Sequence, residues 1–388
     1  MGLYRRLGYF SDLVAFAKDQ AALLATEDLA ELTPAEVRNV LGFSGDSPPI
    51  DVALEDTWTT GELVGESLSW SVGYGPRTRA WLLRPAHASA PLPGVLALHD
   101  HGGFKFLGRE KIADGPEGPD EAVLEFRHQF YDGRAFANEL ARRGFAVLVH
   151  DAFLWGSRRF EIGLMQEEVG DDLPEPWTAP DALSASTPAS VAEYNRLAAR
   201  HEHVVAKYCA VLGTSLAGIV AYEDRVALEY LRSRPEVSGE SLGCIGLSGG
   251  GCRSALLNAV SPHIGAAVVV GMMTTYEGLL DRHIGSHTWM FFPPGLGQRR
   301  DWPELASCRA PTPLMVLYTR GDQLFSLKGM QDAHEQIAAR YASSGHRQAY
   351  VGTFYDGGHK FDREMQEAAF DFLASRLRPS GDQPGVRA

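Results

Sequence analysis

Cysteine is scarce in this chain. There are four in 388 residues, at positions 209, 244, 252 and 308, and no two form a CxxC pair. That pattern fits reduced thiols and argues against a disulfide framework or a structural zinc site. Long apolar runs are missing too, since none approaches the ~18 residues a membrane span needs. Positive charge is in the minority. Against 49 Asp and Glu stand 36 Lys and Arg, a net charge of −13, with no basic stripe to offset it. Neither nucleic acid nor an anionic membrane is therefore an expected partner. The basic start Met1–Arg6 is followed by no apolar h-region, so no signal peptide is predicted and the expected compartment is the cytoplasm.

Apolar residues at 45% and charged residues at 22% give an ordinary globular balance. The length suggests one large core with additions. Residues 1–50 read as a helical N-terminal extension. Within it, Thr33-Pro34-Ala35-Glu36 supplies an N-cap, a proline at the first helical position and an acid in the first turn. The extension is either a flap on the core or a contact in a homo-oligomer, and the sequence leaves both open. Residues 51–378 read as the main domain, and 379–388 as a flexible tail.

The main domain begins with two extended stretches, Ser67–Val72 and Arg77–Arg84, around the hairpin signal Gly73-Tyr74-Gly75-Pro76. Short apolar runs of the buried parallel type follow at 95–99, 146–150, 242–247, 266–270, 313–318 and 350–354. Between them lie helical stretches at 132–143, 191–232 (with Gly213 and Gly218 as potential breaks), 250–260, 326–343 and 361–377. Alternating strand and helix predicts an α/β, doubly wound, mostly parallel sheet entered through an antiparallel hairpin. Two segments break the alternation, near 155–190 and 274–309. Both follow a predicted strand, where such sheets place their ligand crevice, and both read as lid insertions; a plain surface loop is an equal reading for 165–190.

The chemistry centres on Gly246-Leu247-Ser248-Gly249-Gly250. The GxSxG pattern alone is weak, because chance gives roughly 0.3 matches in a chain of this make-up. Its setting is specific: a strand-like run ends at residue 247 and a helical one begins at 250, the strand–turn–helix context of a nucleophile elbow. Small residues two before and two after the serine let the turn close. The near miss around Ser215 lies inside a helical stretch and reads as packing, as does Cys252.

A serine hydroxyl needs a base, and the base needs an orienting acid. In this kind of fold they follow the serine in the order acid, then histidine. Asp322 stands just beyond the run 313–318, and His359 stands in the glycine-rich loop after the last strand. Asp356 is the runner-up acid. The oxyanion of an acyl transfer needs two donors. One is expected from the N–H of Gly249. The other is expected from His101, or alternatively Gly102, in the loop His99-Asp100-His101-Gly102-Gly103-Phe104. A metal pair at His99 and His101 lacks a third ligand at sensible spacing, so no metal is expected. Phe104, Trp155, Trp289 and Phe292 are candidates for an apolar pocket wall. Arg158 or Arg159 are candidates for meeting a substrate carboxylate. For each of these, packing or a surface ion pair is an equal reading.

These residues together resemble the α/β-hydrolase superfamily, and within it the bacterial dienelactone-hydrolase-like and acetyl-xylan-esterase-like enzymes. The likeness rests on His99–Gly103, on Asp151–Arg159, on the helix Glu223–Leu231 leading to the elbow, and on Gly357-Gly358-His359, and spans about residues 66–378. His99-Asp100 stands where His-Gly is commoner. The resemblance implies cofactor-free hydrolysis of a small-molecule carboxylic ester or lactone through an acyl-serine. Two rival readings keep their place: the same triad acting on an amide or C–C bond, and a catalytically silent binding protein.

Overall fold

The structure is a computed structural model and describes residues 4–24, 32–43, 45–88, 90–170 and 188–378. The middle of the 155–190 insertion and the tail 379–388 lie outside the described residues. The strands are β1 (Ile50–Thr60), β2 (Leu63–Ser71), β3 (Thr78–Pro85), β4 (Leu92–Leu98), β5 (Ala146–His150), β6 (Val237–Leu247), β7 (Ile264–Val270), β8 (Leu314–Thr319) and β9 (Tyr350–Tyr355). They form one sheet in the order β1-β2-β3-β5-β4-β6-β7-β8-β9. The pairings from β1 through β3 to β5 are antiparallel, and all others are parallel.

The strands alternate between two cores because successive side chains leave opposite faces. On β4, Leu96 and Leu98 join one cluster while Val95 and Ala97 join the other. The first cluster is covered by the helices Leu216–Ser233, Gly249–Val260 and Leu327–Ser343, and the second by Glu121–Tyr131, Phe136–Arg142 and Arg363–Leu377. Both faces are sealed, so these strands are near-continuous apolar runs, each fully buried side chain contributing roughly 1.5–3 kcal/mol.

The short helix Pro34–Leu41 forms as its cap predicts, with a reciprocal Thr33–Glu36 box and an αL Gly42 at its end. It is tied into the main core. Val37 and Leu41 are buried there, and the Arg38 guanidinium donates to the Val260 carbonyl. The preceding helix, Leu13–Leu24, reaches the 274–309 segment instead, where Tyr4 N–H donates to Asp281 and Lys18 pairs with Glu277.

Several sequence expectations need correction. β1 was not anticipated; as an edge strand exposed along almost its whole length it carries no burial alternation to read. The helix Glu121–Tyr131 was missed as well. Asp132 ends that helix with φ 55° rather than starting the next one, and Gly133 at φ 73° completes the break. The stretch 191–232 is two helices, Pro188–Val211 and Leu216–Ser233, meeting at a bend of 85°. The break is at Gly213, in αL conformation; Gly218 lies inside the second helix. Ser215 is not a packing residue within a helix but the N-cap of the second, accepting from Gly218 N–H at 3.0 Å. No single helix among the described residues is long and apolar enough to cross a membrane.

Candidate active site

β6 ends at Leu247 and the helix Gly249–Val260 starts two residues later. Ser248 makes the turn alone, with φ 56° and ψ −117°, a conformation L-residues adopt only under constraint. The constraint is steric closeness. A Cβ on Gly246 would come within 2.4 Å of the Gly250 carbonyl carbon, and one on Gly250 within 2.1 Å of the Leu98 oxygen. The glycines of the motif are therefore what allow helix, elbow and β4 to meet.

Asp322 leaves the end of β8 and is buried. Its Oδ1 accepts from Leu324 N–H at 2.9 Å, and its Oδ2 accepts from His359 Nδ1 at 2.7 Å. That leaves the Nε2 edge of the imidazole for a reaction. Asp356 points elsewhere; it is exposed and pairs with Arg320 at 3.1 Å. No hydrogen bond joins Ser248 Oγ to His359 in this structure, but Ser248 and His359 line one cavity of about 380 Å³. Catalytic contacts of this kind are commonly long before a substrate is bound.

The same cavity is lined by His101, Gly102 and Gly249. The His101 amide lies against the elbow, since a Cβ on Gly249 would be 2.5 Å from the His101 nitrogen. The N–H groups of His101 and Gly249 have no acceptor among the described residues. Both can therefore donate to an oxyanion, and the helix start behind Gly249 adds its positive end.

A dense set of buried charges holds this loop. Lys111, fully buried, donates to the carbonyls of Asp100, His101 and Phe104, and burial lowers its pKa to about 8. Asp100, the residue where glycine is commoner, accepts from Tyr131 at 2.5 Å and faces Lys111. Arg253, one turn into the elbow helix, pairs with Asp224 at 2.6 Å and donates to the His99 carbonyl at 3.1 Å. Glu202 accepts from the His101 ring at 3.0 Å, from Lys105, from the Thr288 hydroxyl at 2.6 Å and from Trp289 N–H at 2.8 Å. Glu202 thus ties its own helix, Pro188–Val211, to the donor loop His99–Phe104 and to the 274–309 segment that roofs the cavity with His287, Thr288 and Phe291.

The candidate wall residues come out differently. Phe104 is buried against Phe126 and does not line the cavity. Trp155 is buried behind the loop, and its Nε1 donates to the His101 carbonyl at 3.3 Å. Trp289 is 44% exposed and donates to His203, outside the cavity. Phe292 stacks on Tyr276. Arg158 cannot meet a substrate carboxylate. It is buried, paired with Glu223 at 2.5 Å, and donates to the carbonyls of Tyr74 and Pro76. Arg159 lies over the Phe106 ring. Charge this deep needs a partner, and Glu223 was the partner the sequence did not disclose. The walls are instead Phe130, Met272, His287, Phe291, Leu324 and Phe325. His99 and His101 are not a metal pair: His99 is bonded to Asp100 and Ala152, and no metal-ligand cluster occurs among the described residues. Cys252 is buried, which pushes its thiol pKa up and leaves it a packing group.

Comparison with known proteins bears on the fold. No family model matches the chain. The structure superposes on a glucuronoyl esterase from Solibacter usitatus with a TM-score of 0.60, at 14% identity, covering 89% of this chain and 92% of that one. Acetyl xylan esterase 1 from a Thermoanaerobacterium species gives 0.54 at 14% identity, covering 90% and 100%. The chain has the α/β-hydrolase fold. In sequence it is similar to the Bacillus subtilis protein named "Putative hydrolase YtaP", at 22% identity over 339 residues, 87% of this chain and 96% of that one. In this chain the stretches that carry the resemblance are largely scaffold. Asp151 receives Arg109 and two backbone N–H groups, and the 223–231 helix supplies Glu223 and Asp224 to buried arginines.

Proposed function

We propose that this chain hydrolyses a carboxylic ester of a small molecule through an acyl-serine intermediate, without a cofactor. The observation that carries the reading is that Ser248, an Asp322-oriented His359 and two free backbone donors share one cavity. His359 Nε2 takes the Ser248 proton as Oγ attacks the ester carbonyl. Gly249 and His101 N–H groups stabilise the oxyanion, and His359 returns the proton to the leaving alcohol. Water, deprotonated by the same imidazole, then releases the acid. Asp322 fixes the Nδ1–H tautomer throughout. The esterases that share the fold support an ester as the bond cleaved.

A fluorophosphonate probe tests this. It is expected to label wild type and not Ser248→Ala, and wild type is expected to cleave short-acyl esters far faster than matched amides. Unlabelled wild type, or equal labelling of the variant, overturns the mechanism; faster amide cleavage overturns the choice of bond.

A further inference from the structure

Three histidines line the cavity, and each has a ring nitrogen already engaged. His359 gives Nδ1 to Asp322 and keeps Nε2 for the serine. His101 is fully used: Nε2 meets Glu202, and Nδ1 accepts from Gly103 N–H at 3.1 Å. His287 is different. Its Nε2 lies 3.0 Å from the Leu324 carbonyl, which can only accept, so Nε2 carries the hydrogen. Its Nδ1 therefore presents a lone pair, and no donor reaches it among the described residues. The ring cannot turn freely to find one. It stacks on Phe291 at 22° with centroids 5.1 Å apart and packs on Phe325 at 4.8 Å. Burial, its largest influence, lowers the pKa to about 4, so the ring stays a neutral acceptor at ordinary pH. The two flanking hydroxyls offer no competition: Ser286 Oγ donates to the His283 carbonyl at 2.8 Å, and Thr288 Oγ1 donates to Glu202 and accepts from Met290 N–H. Phe130, Met272, Phe291 and Phe325 give the cavity an apolar wall beside the polar Ser286, Thr288 and Gln323.

We infer that His287 Nδ1 is a specificity-determining acceptor, and that the preferred ester carries a hydroxyl (or an equivalent N–H) on the part of the molecule beside it. This rests on the ester-hydrolase reading above. The physical reason is the asymmetry of hydrogen bonding when a bound substrate displaces solvent. A substrate that donates to Nδ1 satisfies it, whereas a deoxy analogue strips its water and leaves it unpaired. The hydroxyl can sit on the acyl or on the alcohol side of the ester; the chemistry is the same.

Two matched substrate pairs separate those sources: 4-nitrophenyl 3-hydroxybutyrate against the butyrate, and 2-hydroxyethyl butyrate against ethyl butyrate. In wild type, kcat/KM is expected to favour the hydroxylated member of at least one pair by about 10-fold or more. In His287→Phe, which keeps the aromatic stack but loses both the lone pair and the Nε2–H given to the Leu324 carbonyl, that ratio should fall towards unity whatever happens to the plain ester's own rate. His287→Gln, which keeps an acceptor, should recover part of the ratio. Fluorophosphonate labelling run alongside reads the triad independently. Wild type with no preference in either pair, or a His287→Phe variant that labels normally yet slows both members equally, overturns the assignment. Wild type that neither labels nor cleaves any ester overturns the Ser248 reading itself, and this one with it. A Phe variant that fails to label has lost its fold, and the ratio is then read from the Gln variant, where a value no higher than unity overturns the role of Nδ1.

Discussion

The elbow and the roof above it are built on opposite plans. The elbow, residues 242–260, is made of neighbours in sequence. A strand, one strained serine and a helix meet there, and the tightest approach within it, Gly246 to Gly250, is backbone against glycine. The roof and donor loop are made of strangers. His101 is held by Glu202 from 101 residues away, Trp155 from 54 and Lys111 from 10. A contact between neighbours is fixed by local geometry and leaves a motif. A contact between distant residues is fixed by packing and leaves almost none. The two plans also differ in how they should fail, because in the proposed function the elbow region carries the chemistry while the buried ion pairs carry the shape that chemistry needs.

The largest expected effect lies at the acid. Asp322→Asn should lower kcat by roughly 10⁴-fold, because an amide stabilises the wrong histidine tautomer. Asp356→Asn, at an exposed residue three positions from the histidine, should leave kcat within about 2-fold. Steady-state kinetics on one ester compares them, and a large loss at 356 would reverse the assignment of the acid.

Next comes the scaffold. Arg158→Leu leaves the Glu223 carboxylate buried without its guanidinium, so unfolding free energy should fall by about 3–5 kcal/mol. The ratio of rates on carboxylate-bearing and neutral esters should not move. Denaturant titration and that ratio together separate a structural arginine from a substrate-binding one; a shifted ratio in a stable variant would restore the binding role.

The smallest effect is a pH dependence. Lys111 releases its proton near pH 8 in the folded chain, against about 10.5 when unfolded, because burial disfavours its charge. Between those values the unfolded chain binds more protons, so the folded state gains stability as pH rises from about 8 to 10.5, by at most about 3 kcal/mol. Lys111→Met should be less stable than wild type throughout, and it should lack this gain. The measurement is the difference in unfolding free energy between the two proteins at pH 8 and pH 10; a difference that stays constant would mean the lysine titrates normally in the fold.

Much of this protein was legible before folding was considered. The buried strands announced themselves because both faces of a parallel sheet must be apolar. Asp322 and His359 were legible because each follows such a strand. β1 was not, since an exposed edge has no pattern of burial. Glu202 left a faint signal, as a carboxylate on a stripe that runs Tyr194, Leu197, Ala198 and Val205, all buried. Lys111 left none, and neither did His287. The wall candidates Trp155 and Trp289 failed for the same reason that Arg158 did: a large or charged side chain near a site in sequence is as easily its support as its lining.

Local rules thus determined the strand–helix alternation, the elbow at Ser248 and the order of its two partners, because period, capping and small-residue spacing act over a few positions. The tertiary structure decided which backbone N–H groups reach the cavity, which charges are buried in pairs, and which side chains enclose the cavity. Those depend on contacts between residues from ten to more than a hundred and fifty positions apart. Only the packed sheet, with its two sealed faces and its roof, brings them within a hydrogen bond.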